Sequence, residues 1–459
     1  MDLLLAEIGS TTTVMNAFTD LDSDDPKFLG QGQSHTTVLE GDVSIGLRLA
    51  LEDLEAKLPG WSYAGAEMLA TSSAAGGLRM TVHGLVYDMT VRAAREAALG
   101  SGAVVTMVTA GRLRRGDLKK IQELKPKMFF LAGGTDYGER DTAIYNYELL
   151  MSVMPEIPLV YAGNIENHEE LTLLGEEAGY KLYLSENVYP SLDQLNIEPA
   201  RHLVHQVFEE HIVHSPGMGK IRELVSGHIL PTPGAVMEAT LLAAEMLGDV
   251  MVFDVGGATT DLHSATAGSP TIEAIQSQAE PFAKRTVEGD LGLYVNRQSL
   301  IEQFSPEERK AKLPEAERFL KEAKEIPTDA GERDFLEALT IKACDVALKR
   351  HAGRLVNLYG PTGRQTIAKG KDLSQIKYVI GTGGALTRLP HGRKILERAL
   401  TGQKRDLLLP TEELSYLLDQ DYIMAALGVL AKRHPRAARI LLLKSLGLPL
   451  DLAQNAVAD

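Results

Sequence analysis

Three apolar runs of this chain each end in a turn rich in glycine and hydroxyl residues. The first turn is Glu7-Ile8-Gly9-Ser10-Thr11-Thr12-Thr13 and the second is Asp254-Val255-Gly256-Gly257-Ala258-Thr259-Thr260-Asp261. The third is Gly381-Thr382-Gly383-Gly384-Ala385-Leu386-Thr387. Glycine lets backbone N–H groups approach an anion closely, and hydroxyls add further donors. The first two turns are flanked by apolar and β-branched residues, so each reads as a strand–turn–strand hairpin. A carboxylate, Glu7 or Asp254, stands in the strand that leads into each of them. That position suits Mg²⁺, which takes oxygen ligands and keeps part of its water shell. The two acids lie more than half the chain apart. The spacing suggests two related domains facing each other across a cleft, with the third turn placed to clamp a base and ribose.

The chain has room for that arrangement. At ~150 residues per domain, 459 residues make about three domains or subdomains. Hydrophobic residues are 44% and charged residues 24%, which is globular and excludes a disordered chain or a coiled coil. A net charge of −15 and an aromatic content of 5% argue against a nucleic-acid binder. Cys344 is the single cysteine, so neither an internal disulfide nor a cysteine-rich zinc site is expected. The N-terminus lacks a basic region followed by a long apolar segment, and no run approaches the ~20 apolar residues of a membrane span. A cytoplasmic protein is expected, with no membrane partner.

From Gly102 to Pro190 the rhythm changes. Apolar runs at 103–108, 128–132, 159–162 and 181–184 alternate with helix-like stretches at 117–124, 143–154 and 169–178. This is the pattern of βα units and a small parallel sheet. The expected organisation is a first lobe from 1–97 and 201–248, with an inserted α/β domain at 98–200. A second lobe spans 249–300 and 376–432, interrupted by a charged helical subdomain at 301–375 and followed by a helical tail at 433–459.

The order of the turns resembles the superfamily of actin, sugar kinases and DnaK-type chaperones. Pro231-Thr232-Pro233-Gly234 resembles the segment that opens its first interdomain helix, and Ala425-Ala426-Leu427-Gly428 resembles its small-residue second one. More narrowly, the chain resembles the glutamate mutase L protein family (MutL or GlmL, unrelated to mismatch repair). The residues that carry this are Leu4 to Thr13, Leu131-Ala132-Gly133-Gly134-Thr135-Asp136, and Lys284-Arg285-Thr286-Val287-Glu288-Gly289-Asp290-Leu291-Gly292. The resemblance implies an α/β, two-lobed actin-like ATPase fold of duplicated ribonuclease H-like domains, with an inserted α/β domain and a helical subdomain. It also implies a role beside adenosylcobalamin-dependent mutase subunits, as a reactivating factor.

Under this reading Gly9, Ser10, Thr11, Thr12 and Thr13 with Gly256, Gly257, Ala258 and Thr259 grip the phosphates of ATP. Glu7 and Asp254 hold Mg²⁺, Asp254 and Asp261 are the catalytic carboxylates, and Gly381, Gly383 and Gly384 lie against adenosine. Glu7 stands where most of the superfamily has Asp, and Ala258 breaks the second glycine run. Weak ATP hydrolysis is therefore expected rather than fast turnover. A small-molecule kinase or an ATP-dependent hydantoinase-like hydrolase is the rival class, since Asp254 or Asp261 would also serve as a general base. His202, His205, His211 and His214 share a helical segment, and a polar helix face is the expected reading rather than a metal site. Asp261-Leu262-His263 begins like a cobalamin-ligating motif but lies inside the hairpin, so it is set aside. The basic cluster Arg112, Arg114, Arg115, Lys119 and Lys120 is a candidate docking edge.

Overall fold

The computed structural model describes residues 1–9, 12–73, 78–192, 194–212, 217–225, 229–322, 327, 329–360, 363–403, 406–410 and 413–455. In chain order the strands are β1 (Leu3–Ile8), β2 (Thr12–Thr19), β3 (Lys27–His35), β4 (Glu67–Ser72), β5 (Arg79–Gly84), β6 (Val104–Ala110), β7 (Met128–Leu131), β8 (Leu159–Tyr161) and β9 (Leu182–Leu184). They continue as β10 (Ile229–Pro231), β11 (Val250–Val255), β12 (Thr260–Ala265), β13 (Ala283–Glu288), β14 (Arg354–Gly360), β15 (Gly363–Lys369), β16 (Tyr378–Thr382) and β17 (Ser415–Leu418). The chain divides into two compact units, Met1–Ala17 with Leu29–Ala235, and Phe18–Phe28 with Val236–Asp459.

The first unit holds two five-stranded sheets. One has the order β10-β4-β1-β2-β3. Its centre, β1, is buried along its whole length and pairs in parallel with β4, which pairs in parallel with β10. β1 ends at Ile8 and β2 begins at Thr12, and so short a connection allows only an antiparallel pair. Helix α1 (Val43–Lys57) turns Val43, Leu47, Ala50 and Leu54 into the core of this sheet.

The other sheet has the order β6-β5-β7-β8-β9 and is parallel throughout. Parallel strands are covered on both faces and therefore read as unbroken apolar runs, as Met128-Phe129-Phe130-Leu131 does with all four residues buried. The crossovers are helices α2 (Arg92–Gly100), α3 (Arg115–Leu124), α4 (Asp141–Val153) and α5 (His168–Ala178). This corrects the expected start of the insert at 98, because β5 and α2 already belong to it. β5 pairs with both β6 and β7, so without it β6 is cut off from the sheet.

The second unit repeats the first sheet's plan. Its order is β13-β12-β11-β16-β17, with β11–β12 and β12–β13 antiparallel and β11–β16 and β16–β17 parallel. Counted outward from the strand before each glycine turn, the two orders coincide. This repeated sheet is the duplicated ribonuclease H-like core of the actin-like ATPase fold. The long helix Ala330–His351 packs Leu339, Ala343, Cys344 and Ala347 into the core of this unit. The subdomain expected to be helical at 301–375 is not uniformly so: β14 and β15 form an antiparallel hairpin there. The pairing runs in register from Arg354 opposite Lys369 to Gly360 opposite Gly363. Among the described residues no helix is long and apolar enough to cross a membrane.

Candidate functional site

The two hairpin turns close with the same backbone bond. Gly9 N–H donates to Thr12 O at 2.9 Å, and Gly256 N–H donates to Thr259 O at 3.0 Å. A Cβ on Gly9 would lie 2.7 Å from Thr12 O, so only glycine fits the first bend. Ser10 and Thr11 lie outside the described residues. Glu7 is buried in β1, opposite Thr71 of β4. Thr13 differs from its expected role as a phosphate ligand. It is buried and shares a 3.0 Å hydrogen bond with Thr36, whose hydroxyl also lies 3.0 Å from Gly9 O as donor. That hydroxyl pair ties the turn to the end of β3.

The second turn is braced from a neighbouring loop. Gly257 O accepts from Tyr294 N at 2.8 Å and Val295 N at 2.9 Å. Ala258 O accepts from Asn296 Nδ2 at 3.2 Å, and a Cβ on Gly292 would fall 2.2 Å from the same oxygen. Ala258 is therefore accommodated because the close approach is made by Gly292 instead.

The carboxylates are arranged across the strands. Asp254 of β11 faces Asp261 of β12 in the antiparallel register and Thr382 of β16 in the parallel one. Asp261 is buried and fully engaged: Oδ1 accepts from Arg285 Nε at 3.0 Å and Nη2 at 2.7 Å, and Oδ2 accepts from Thr259 at 3.0 Å. Its geometry is that of a brace for the turn. Loss of solvent, followed by the Asp261 charge, pushes the Asp254 carboxyl up to about 7, against the pull of Arg285.

The third turn also packs against the second at Gly383. Gly383 has φ +85°, and a Cβ there would lie 2.5 Å from Val255 O and 2.7 Å from Asp254 Oδ1. Gly384 opens a short helix, Gly384–Arg388, and has open space around it. Gly381 is different. It is a packing residue inside β16, where a Cβ would press on Leu418, Leu396 and Leu386. Thr382 donates to Asp419 Oδ2 at 2.9 Å, and buried Asp419 also accepts from Ile423 N, Met424 N and Ser445.

Arg285, Asn296 and Asp419 were not singled out as site residues by sequence reasoning. Arg285 lay within a recognised segment, and its burial is the signal that gives it a role. Of the histidine cluster, His205 is buried with Nε2 3.0 Å from Ser101 O, while His202 is exposed. The side chains of His211 and His214 are outside the described residues. Among the described residues no three His, Cys, Asp or Glu side chains gather as a metal-binding group.

A family model described as MutL protein matches residues 3–446. A curated relative, Protein MutL of Clostridium tetanomorphum, is 36% identical over 455 residues, covering 95% of this chain and 98% of that one. Among solved structures, a diol dehydratase-reactivating factor in nucleotide-free form is 12% identical with a TM-score of 0.35, over 94% of this chain and 100% of that one. A glycerol dehydratase reactivase is 13% identical with a TM-score of 0.33, over 93% and 100%. The fold assignment rests on the repeated strand order, not on these superpositions.

Proposed function

This chain belongs to the MutL protein family, and on that premise we propose that it is an ATP-binding, chaperone-like factor that reactivates an adenosylcobalamin-dependent mutase such as glutamate mutase. The observation that carries the nucleotide part is the matched pair of turns, Gly9–Thr12 and Gly256–Thr259, closed by the same bond at equivalent places in two equivalent sheets. Backbone amides of such turns hold phosphate oxygens without needing a basic side chain.

In this reading Gly9 to Thr12 and Gly256 to Thr259 grip the β- and γ-phosphates, and Gly383 and Gly384 lie against adenosine. Glu7 and Asp254 are the residues to hold Mg²⁺. An oxygen donor set suits that ion, and a divalent charge beside Asp254 draws the carboxyl towards its ionised form. Bound Mg²⁺ neutralises charge developing on the phosphates. Asp254 orients the attacking water, while Arg285 and Thr259 fix Asp261 beside it. Hydrolysis is weak, and its role is to switch the conformation offered to the mutase rather than to process a metabolite.

The test is a titration of the full chain with ATP and Mg²⁺, followed by ATP turnover with and without a mutase carrying inactivated cofactor. A raised melting temperature is expected from ligand linkage, together with turnover that responds to the protein partner. No shift with millimolar ATP or ADP overturns the nucleotide reading. Acceleration by a small hydroxylated acceptor, and none by a mutase, assigns the protein to the kinases instead.

A further inference from the structure

The parallel sheet inside the first unit carries a second glycine turn that the nucleotide reading leaves unused. Its strand order β6-β5-β7-β8-β9 reverses direction between β5 and β7. In sheets of this order, ligands bind in the crevice at the carboxyl ends of the strands beside that reversal. The turn after β7, Gly133-Gly134-Thr135, sits at this place. The backbone N–H groups before and after it are engaged: Ala132 N donates to His83 O at 2.8 Å and Asp136 N to Pro190 O at 2.9 Å. Those of Gly133, Gly134 and Thr135 have no partner among the described residues. Gly133 and Gly134 are buried, and buried backbone donors in native proteins are almost always paired. Three successive unpaired amides form a strip of donors for an anionic oxygen group.

The nearby acids do not use these donors, because they are satisfied elsewhere. Asp136 Oδ1 accepts from Ile165 N at 3.0 Å and Asn187 Nδ2 at 2.9 Å. Glu139 Oε1 accepts from Thr142 N and Oγ1, and Arg140 pairs with Glu166. The same edge displays aromatic surface. Tyr137 follows the turn with φ 61° and is 79% exposed, its N–H held by Asn164 Oδ1 at 3.1 Å. A bulky residue rarely takes that backbone conformation, and such outliers gather at ligand sites. After β5, Tyr87 is 62% exposed and opens a π-helical turn, Tyr87–Val91, another feature common at functional sites.

We propose that this switch point binds a planar heteroaromatic group joined to a phosphate, the phosphate on Gly133-Gly134-Thr135 and the ring beside Tyr87 and Tyr137. The site goes beyond the ATP reading, because it lies on another sheet. Two sources carry this chemistry, a free mononucleotide of the flavin type and the nucleotide tail of a corrinoid.

The experiment uses the full chain with saturating ATP and Mg²⁺ present. Riboflavin 5′-phosphate and riboflavin are titrated by fluorescence, and cobalamin and tail-less cobinamide by equilibrium dialysis. Binding at least tenfold tighter for riboflavin 5′-phosphate than for riboflavin supports the proposal with a free mononucleotide. The same preference for cobalamin over cobinamide supports it with a corrinoid. In either case Tyr137→Gly, which suits the positive φ, and Tyr87→Ala should each weaken binding about tenfold with the melting temperature preserved. Asp254→Ala should lose ATP and keep the second ligand, so failure of one reading is separable from failure of the other. Absence of binding by both phosphate-bearing probes at millimolar concentration, equal affinity for the phosphate-free counterparts, or displacement by ATP overturns the proposal.

Discussion

The two hairpin turns share a closing backbone bond and differ in what holds them. In the first unit the Gly9 turn is secured by hydroxyls, Thr13 to Thr36 and Thr36 to Gly9 O. In the second unit the Gly256 turn rests on a buried ion pair, Asp261 with Arg285, with Asp254 opposite Asp261 and Gly383 close against Asp254. Neutral hydrogen bonds each contribute about 1 kcal/mol, whereas breaking one side of a buried ion pair costs several times that. The side chains that secure the turn are thus neutral hydroxyls in one half and ionisable groups in the other.

Arg285→Met is the most direct way to break the contrast. It leaves Asp261 buried without its cation and should destabilise the protein by ~3–5 kcal/mol in urea or thermal unfolding. The double variant with Asp261→Leu should recover much of that loss, whereas a merely bulky Arg285 would give no recovery. Gly383→Ala comes next, at ~1–3 kcal/mol or more. It places a side chain at φ +85° against Val255 and Asp254, while Gly384→Ala, in open space, should stay within ~0.5 kcal/mol. Thr36→Val, the counterpart in the first unit, removes two neutral hydrogen bonds and should cost only ~1–2 kcal/mol.

The pH dependence sharpens the comparison further. Asp254 is held up from 3.8 to about 7, so the folded protein keeps a proton that the unfolded chain releases. Its contribution is fully favourable below about pH 4 and is lost as pH rises through about 7. Melting temperatures measured across that window should fall with pH in the wild type and fall less in Asp254→Asn. An unchanged slope in the variant removes Asp254 as the source.

Legibility in the sequence does not follow the size of these effects. The apolar runs and glycine turns announced both hairpins and the third turn, since the close approach of Gly9 to Thr12 and the positive φ of Gly383 each call for glycine. The βα rhythm announced the parallel sheet but not its first strand, because Arg79-Met80-Thr81-Val82-His83-Gly84 mixes polar residues into an inner strand. His83 there is satisfied by Thr81 and Thr109, partners that only the folded sheet brings together. Gly381 looked like a ligand contact and is a packing residue, because motif position does not distinguish a glycine that faces a ligand from one that lies under Leu418. Arg285 and Asp419 owe their importance to burial, which a linear reading does not reveal.

The place of β10 bears on how the chain acquires its structure. β10 supplies one edge of the first sheet by pairing with β4, yet the whole parallel sheet, β5 to β9, is encoded between them. Synthesis from the N-terminus therefore presents β1 to β4 with an unpaired edge at β4 until Ile229–Pro231 emerges. A disordered intervening segment would make that long loop entropically costly to close, and it would leave β4 open to pairing with another chain. Folding of β5 to β9 into a compact body before β10 emerges would fix the two ends of that segment and shorten the loop left to close. The inserted sheet thus acts as an intramolecular splint for the lobe it interrupts.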